Sequence, residues 1–160
     1  MIKYQKKTLK TGTFVDTAHV DTVIRTYKQE RWVHNTERIG KEDSLSTWYS
    51  IEELEEFMEA AKRNGADGVK IYFAAYPNDF AKEPAYAGRQ SVVLVATKQK
   101  QTDEGILNKD VYVDSPSGAQ ILAYNFGQIC PPYCGGKGTG ADDGLGIAIV
   151  DIKGKGLSVI

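Results

Sequence analysis

The chain is poor in the residues that most often announce chemistry. It has two cysteines, two histidines and no apolar run near the ~20 residues needed to cross a bilayer, the longest being Val92 to Ala96 and Ile147 to Val150. A membrane-spanning protein is therefore not expected. It also lacks a dominant charge, with 20 Lys+Arg against 21 Asp+Glu. No broad positive field is available to hold a phosphate backbone, which argues against nucleic acid as the main partner. The basic opening Met1 to Lys7 leads into Thr8 to Thr13 rather than an apolar segment with a small-residue cleavage site. That pattern predicts a cytoplasmic protein, and with it reduced thiols at Cys130 and Cys134.

Catalytic signatures are missing too. Neither His19 nor His34 stands in a nucleophile–base pattern, and Ser115-Pro116-Ser117-Gly118 is not a G-x-S-x-G elbow. Gly135-Gly136-Lys137-Gly138-Thr139-Gly140 departs from a phosphate loop, since Pro131 stands where the first glycine belongs and Gly138 where a hydroxyl must meet magnesium. Asp142-Asp143-Gly144 is too short for an EF-hand and reads as a solvated turn. No cofactor is expected.

What is present is a chain of 160 residues, 41% hydrophobic and 26% charged, the size of one domain with a continuous core. Val20, Val23, Ile24 and Tyr27 recur at helical steps and predict a first helix over 15–32, capped by Asp16 or Thr17. The polar stretch 35–47 reads as a loop. Ser50-Ile51-Glu52-Glu53 is a capping box, so a second helix should start at Ile51 and bury Leu54, Phe57, Met58 and Ala61. Its cationic last turn and Gly65 place the end near Asn64. Alternation predicts a strand from Val69 that Pro77 closes, and the apolar run Ser91 to Thr97 predicts a strand covered on both faces. Lys98 to Lys109 reads as a hairpin connection or wide loop, Val111 to Val113 as a short strand, and Ala119 to Phe126 as a further strand or short helix.

This order predicts an α+β fold, with two helices on a mainly antiparallel sheet and a glycine-rich C-terminal β segment. The domain spans 1–134, and 135–160 is an extension able to form strands, eight of the sixteen glycines falling after Cys134.

Cys130-Pro131-Pro132-Tyr133-Cys134 is the most distinctive element. A C-x-x-x-C pair can close a disulfide, act as a dithiol or contribute to a metal site. Redox chemistry of the thioredoxin kind uses C-x-x-C at a helix start, whereas here one residue is added and two prolines oppose a helix. A rigid structural turn is the simplest reading, and Cys130 and Cys134 are also the redox candidates. With His19 and His34 they form the one candidate zinc set, without the close paired spacing such sites show. Tyr72 and Tyr76, spaced to share a strand face, could frame a recognition surface or pack beneath the helices.

Trp48 to Leu54, Gly68 to Phe73, Val92 to Val95 and the closing Cys-Pro-Pro-Tyr-Cys-Gly together resemble a group of small uncharacterised proteins of the Bacteroidota. The resemblance covers Trp48 to Gly135, rests chiefly on the C-P-P-x-C-G element and implies no activity, so it assigns no catalytic residue. The leading functional expectation is a non-enzymatic module for self-association or protein binding. Its anchors are Leu145, Ile147, Ile149 and Ile152 of the tail, donated as a strand to a neighbour or folded back on the same chain. A thiol-dependent redox protein or enzyme is the alternative, and a zinc-binding module the second.

Overall fold

The computed structural model describes residues 10–134 and the backbone of two short strands in the tail, 149–151 and 157–159. The architecture is α+β with antiparallel pairing throughout the described strands. Helix α1, Thr17–Tyr27, starts at Asp16, whose carboxylate accepts from the His19 backbone N–H at 2.8 Å. It does not stop at Trp32. A π-helical turn, Lys28–Trp32, carries it into α2, Val33–Ile39, and Gly40 ends the rod at φ 71°.

The polar residues that read as a loop have a buried partner, which is why the helix continues. Asp43 is fully enclosed. The Trp32 indole N–H donates to its carbonyl at 2.7 Å, the Asn35 amide donates to its carboxylate at 3.1 Å, and the Asp43 N–H donates to the Thr36 hydroxyl at 3.1 Å. The same carboxylate accepts from the N–H groups of Ser44 and Gln90. Arg89 donates to the Glu42 carbonyl alongside. Burial lowers the pKa of that guanidinium, while the nearby Asp43 and Glu42 charges oppose the shift. Polarity here marks an internal hydrogen-bond network rather than exposure to water.

Strand β1, Ser46–Trp48, starts within the same stretch, and α3 follows at Ile51–Arg63 with both bonds of its capping box made. Next come β2, Gly68–Ala75, then β3, Gln90–Thr102, and β4, Gly105–Asp110. Of the two expectations for Lys98 to Lys109, hairpin connection or wide loop, the structure has the hairpin, with most of its residues in the paired arms. Both faces of its outer part are wet, which removes the apolar alternation that reveals a strand. Short strands complete the domain: β5, Tyr112–Ser115; β6, Gly118–Ile121; β7, Ala123–Tyr124; and β8, Gln128–Cys130. In the tail, β9, Ile149–Asp151, and β10, Leu157–Val159, pair with each other, and β10 runs beside α1.

The main sheet has the order β2-β3-β4, with β7 pairing on β3 as well. Leu94 and Ala96 of β3 face Phe57 and Ala61 of α3, and Tyr49, Leu54, Val92 and Tyr124 close around them. A second cluster joins Tyr76, Tyr86 and Ile129. Gly127, just before β8, comes close to Thr47 and Tyr49. A Cβ there would stand 2.5 Å from both the Thr47 methyl and the Tyr49 ring, so no larger residue fits without displacing β1. Among the described residues no helix is long and apolar enough to cross a membrane.

Candidate functional site

The two cysteines meet. Strand β8 ends at Cys130, the two prolines reverse the chain, and Cys134 returns to form a disulfide with a Cα–Cα distance of 4.7 Å. The expectation of reduced thiols is corrected by this closure, which the short Pro-Pro turn makes geometrically easy. The surroundings are those of a clasp. The Leu45 N–H donates to the Cys130 carbonyl, the Tyr133 N–H to the Ile129 carbonyl, and the Gln128 amide to the Tyr133 carbonyl. The Tyr133 ring leans on Tyr86 at 5.7 Å, and its hydroxyl donates to Glu83. Desolvation, then the Glu83 carboxylate, raises the Tyr133 pKa above the usual phenol value. Cys130 itself is buried.

His19 and His34 are elsewhere. His19 sits exposed in the first turn of α1, and His34 stands exposed on α2, 4.0 Å from Glu37. The candidate zinc set is therefore not assembled, because the sulfurs are bonded to each other while both imidazoles face water from a separate helical rod. Among the described residues no group of three or more His, Cys, Asp or Glu is placed to hold a metal ion.

The tyrosines separate as well. Tyr72 is exposed on β2, beside Lys70 and Asp110. Tyr76 lies just past the strand end and turns inward. It stacks on Phe80 at 4.7 Å, packs against Tyr86 and donates its hydroxyl to Asn125 at 3.0 Å. As an interaction residue Tyr76 is thus corrected to a core residue, since the aromatic cluster and the Asn125 carbonyl together satisfy it. Of the tail anchors, Ile149 belongs to β9, while Leu145, Ile147 and Ile152 lie outside the described residues.

The surface feature that the sequence did not single out is β2 itself. Val69 pairs with Ala96, Ile71 with Leu94 and Phe73 with Val92, so all six share the face that α3 covers. The helix stops at β3. Val69, Ile71 and Phe73 are left 40%, 60% and 87% exposed. Beside Phe73 a groove of about 310 Å³ opens between Val92, Leu45 and the Val23, Ile24 and Tyr27 stripe of α1. β2 is apolar at every odd position, yet among the described residues α3 packs only Leu54, Phe57 and Ala61 on the sheet; Met58, expected in that buried stripe, is left exposed.

On the opposite face Lys70 donates to the Asp110 carboxylate at 3.0 Å, and the Tyr72 hydroxyl closes the triad at 3.5 Å. The hydrogen bond to Asp110 raises the Lys70 pKa, so the ammonium stays charged and paired. Such an arrangement can recognise an apolar strand or sheet. No protein-family model, curated protein or solved structure matches the chain.

Proposed function

We propose that the protein works by association with another protein molecule, without catalysis of its own, and that β2 is where the neighbour docks. The observation that carries this reading is the row Val69, Ile71 and Phe73, exposed on the same sheet face that α3 buries one strand away. Exposed apolar rows of this kind on an outer strand recruit a further strand or an apolar face. The glycine-rich tail, with Leu145, Ile147, Ile149 and Ile152, is one strand donor in this reading. The C-P-P-x-C-G resemblance adds no activity to it.

A cytoplasmic location belongs to the same reading. Backbone bonds to Leu45 and Ile129 and the Tyr133–Tyr86 contact hold the loop alongside the bridge, and the clasp closes on β8 rather than on β2. The bridge also supports a second reading, a dithiol redox protein. That reading requires an exposed, acidified thiolate, and slow alkylation of the reduced protein at all pH values would end it.

Amide hydrogen exchange on the full chain tests the docking proposal. The N–H groups of Val69, Ile71 and Phe73 should become protected as protein concentration rises, or when a synthetic peptide of residues 145–152 is added. Exchange at the rate of an open strand under both conditions would remove it.

A further inference from the structure

We infer that the molecule docked on β2 is a second copy of this chain, presenting its own β2 antiparallel across a two-fold axis at Ile71. This rests on the reading of β2 as the docking surface and names its occupant. Among the described residues β2 ends the sheet order, with β3 on one side and no strand on the other. Just beyond the strand, the Tyr76 N–H donates to the Arg89 carbonyl, in the same register that pairs Ala75 with Gln90. Bonding alternates along an antiparallel ladder, so the even-numbered residues of β2 bond inward to β3. Val69, Ile71 and Phe73 then turn their N–H and C=O groups outward, and their side chains are the exposed row.

A strand paired with its own copy must satisfy side chains and backbone together, and Gly68–Ala75 does so in one register. With Ile71 opposite Ile71 of the second copy, Val69 falls opposite Phe73 and Phe73 opposite Val69. All three pairs are of the outward-bonding kind, which gives about six intermolecular backbone hydrogen bonds. The small side chain meets the large one at each end, so the apolar row becomes continuous across both copies. On the other face Lys70 falls opposite Tyr72, a cation against an aromatic ring rather than against a second cation. Shifting the pairing by one residue would set odd against even positions and break both faces.

Charge agrees with this register. Lysine on an outer strand usually keeps sheets apart, because each copy brings an unpaired cation to the edge. Here Asp110 of the neighbouring hairpin already holds Lys70 at 3.0 Å. The guard is neutralised within the chain. At the strand's C-terminal end, where Phe73 would meet Val69 of the second copy, the groove lined by Val23, Ile24 and Tyr27 of α1 borders the pairing edge.

Cross-linking at single positions reads the register directly. In the full chain, Ile71→Cys should oxidise to a covalent dimer, since an antiparallel pair sets opposed Cα atoms about 5.5 Å apart, within disulfide reach. Val69→Cys and Phe73→Cys should each couple poorly alone and efficiently when mixed. Light scattering should show a dimer that Ile71→Lys weakens on the order of a hundredfold, with an unchanged circular dichroism spectrum. Equal coupling at all three positions, a monomer at every concentration, or a dimer indifferent to Ile71→Lys would overturn the inference. If the peptide of residues 145–152 still protects the β2 amides in such a monomer, docking at β2 survives and only its occupant is wrong. If it does not, both fall.

Discussion

Ile71 and Leu94 stand opposite each other on one face of one sheet, and their surroundings differ completely. Leu94 is 7% exposed beneath Phe57 and Ala61, while Ile71 is 60% exposed a strand spacing away. Their chemistry is nearly identical. What separates them is the reach of α3, whose apolar stripe is wide enough for β3 and too narrow for β2. Residue type therefore sets which side chains need covering, and the number and placement of covering elements decides which get it inside the chain. A strand left over by that count is a natural place for a second molecule.

The sharpest way to break this comparison is to truncate both sides of the pair at protein concentrations too low for association. Leu94→Ala should cost about 2–5 kcal/mol, because it removes buried methyl groups and leaves a cavity under α3. Ile71→Thr, which keeps the β-branched shape, should stay within about 0.5 kcal/mol, as surface substitutions do. Urea midpoints measure both. Similar costs at the two positions would mean that β2 is covered within the monomer, and the distinction between the regions would vanish.

A smaller effect is expected from the disulfide, which belongs to neither strand. Closing a loop as short as Cys130 to Cys134 stabilises by about 2 kcal/mol in the chain-entropy account. Reduction should lower the urea midpoint accordingly while leaving concentration-dependent protection of Val69, Ile71 and Phe73 in place. Loss of that protection on reduction would tie the clasp to the docking strand and make the two a single cooperative unit.

Legibility in the sequence followed the same division. The second helix, the strand after Gly68 and the strand after Gln90 were all readable, because a capping box, period-2 alternation and an apolar run are local signals of element type. The extension of the first helix was not. Asn35 and Thr36 look like loop residues until Asp43 is seen between them, and nothing local signals a carboxylate that arrives from later in the chain. Tyr76 as an interaction residue failed for a related reason: Tyr72 and Tyr76 share parity and Tyr76 continues the register through Arg89, but Tyr86 and Ile129 cover only the Tyr76 end. The exposed row on β2 was visible as composition only. Its exposure depends on how far α3 extends over the sheet, which is a tertiary fact.

The smallest prediction acts on α3 from its far end. The Ser50 hydroxyl accepts from the Glu53 N–H at 3.1 Å, and the Glu53 carboxylate accepts from the Ser50 N–H at 2.9 Å. Ser50→Ala should cost about 1 kcal/mol, the usual worth of an N-cap. The Glu53 pKa is lowered, first by the Ser50 backbone bond and then by the Ser50 side chain, with a further bond from Tyr124. A carboxylate depressed in the folded state stabilises fully above its ordinary pKa of about 4.3, and that contribution is lost as pH falls through the folded value. Glu53→Gln should therefore flatten the acid limb of the stability curve, with little change near pH 7 beyond the lost cap. Because α3 covers β3 and not β2, both substitutions should shift the urea midpoint and leave coupling of Ile71→Cys at neutral pH unaltered. If weakening the cap also slowed that coupling, the covered and uncovered strands would be answering to the same helix, and β2 could not be regarded as the face that α3 leaves to a second copy.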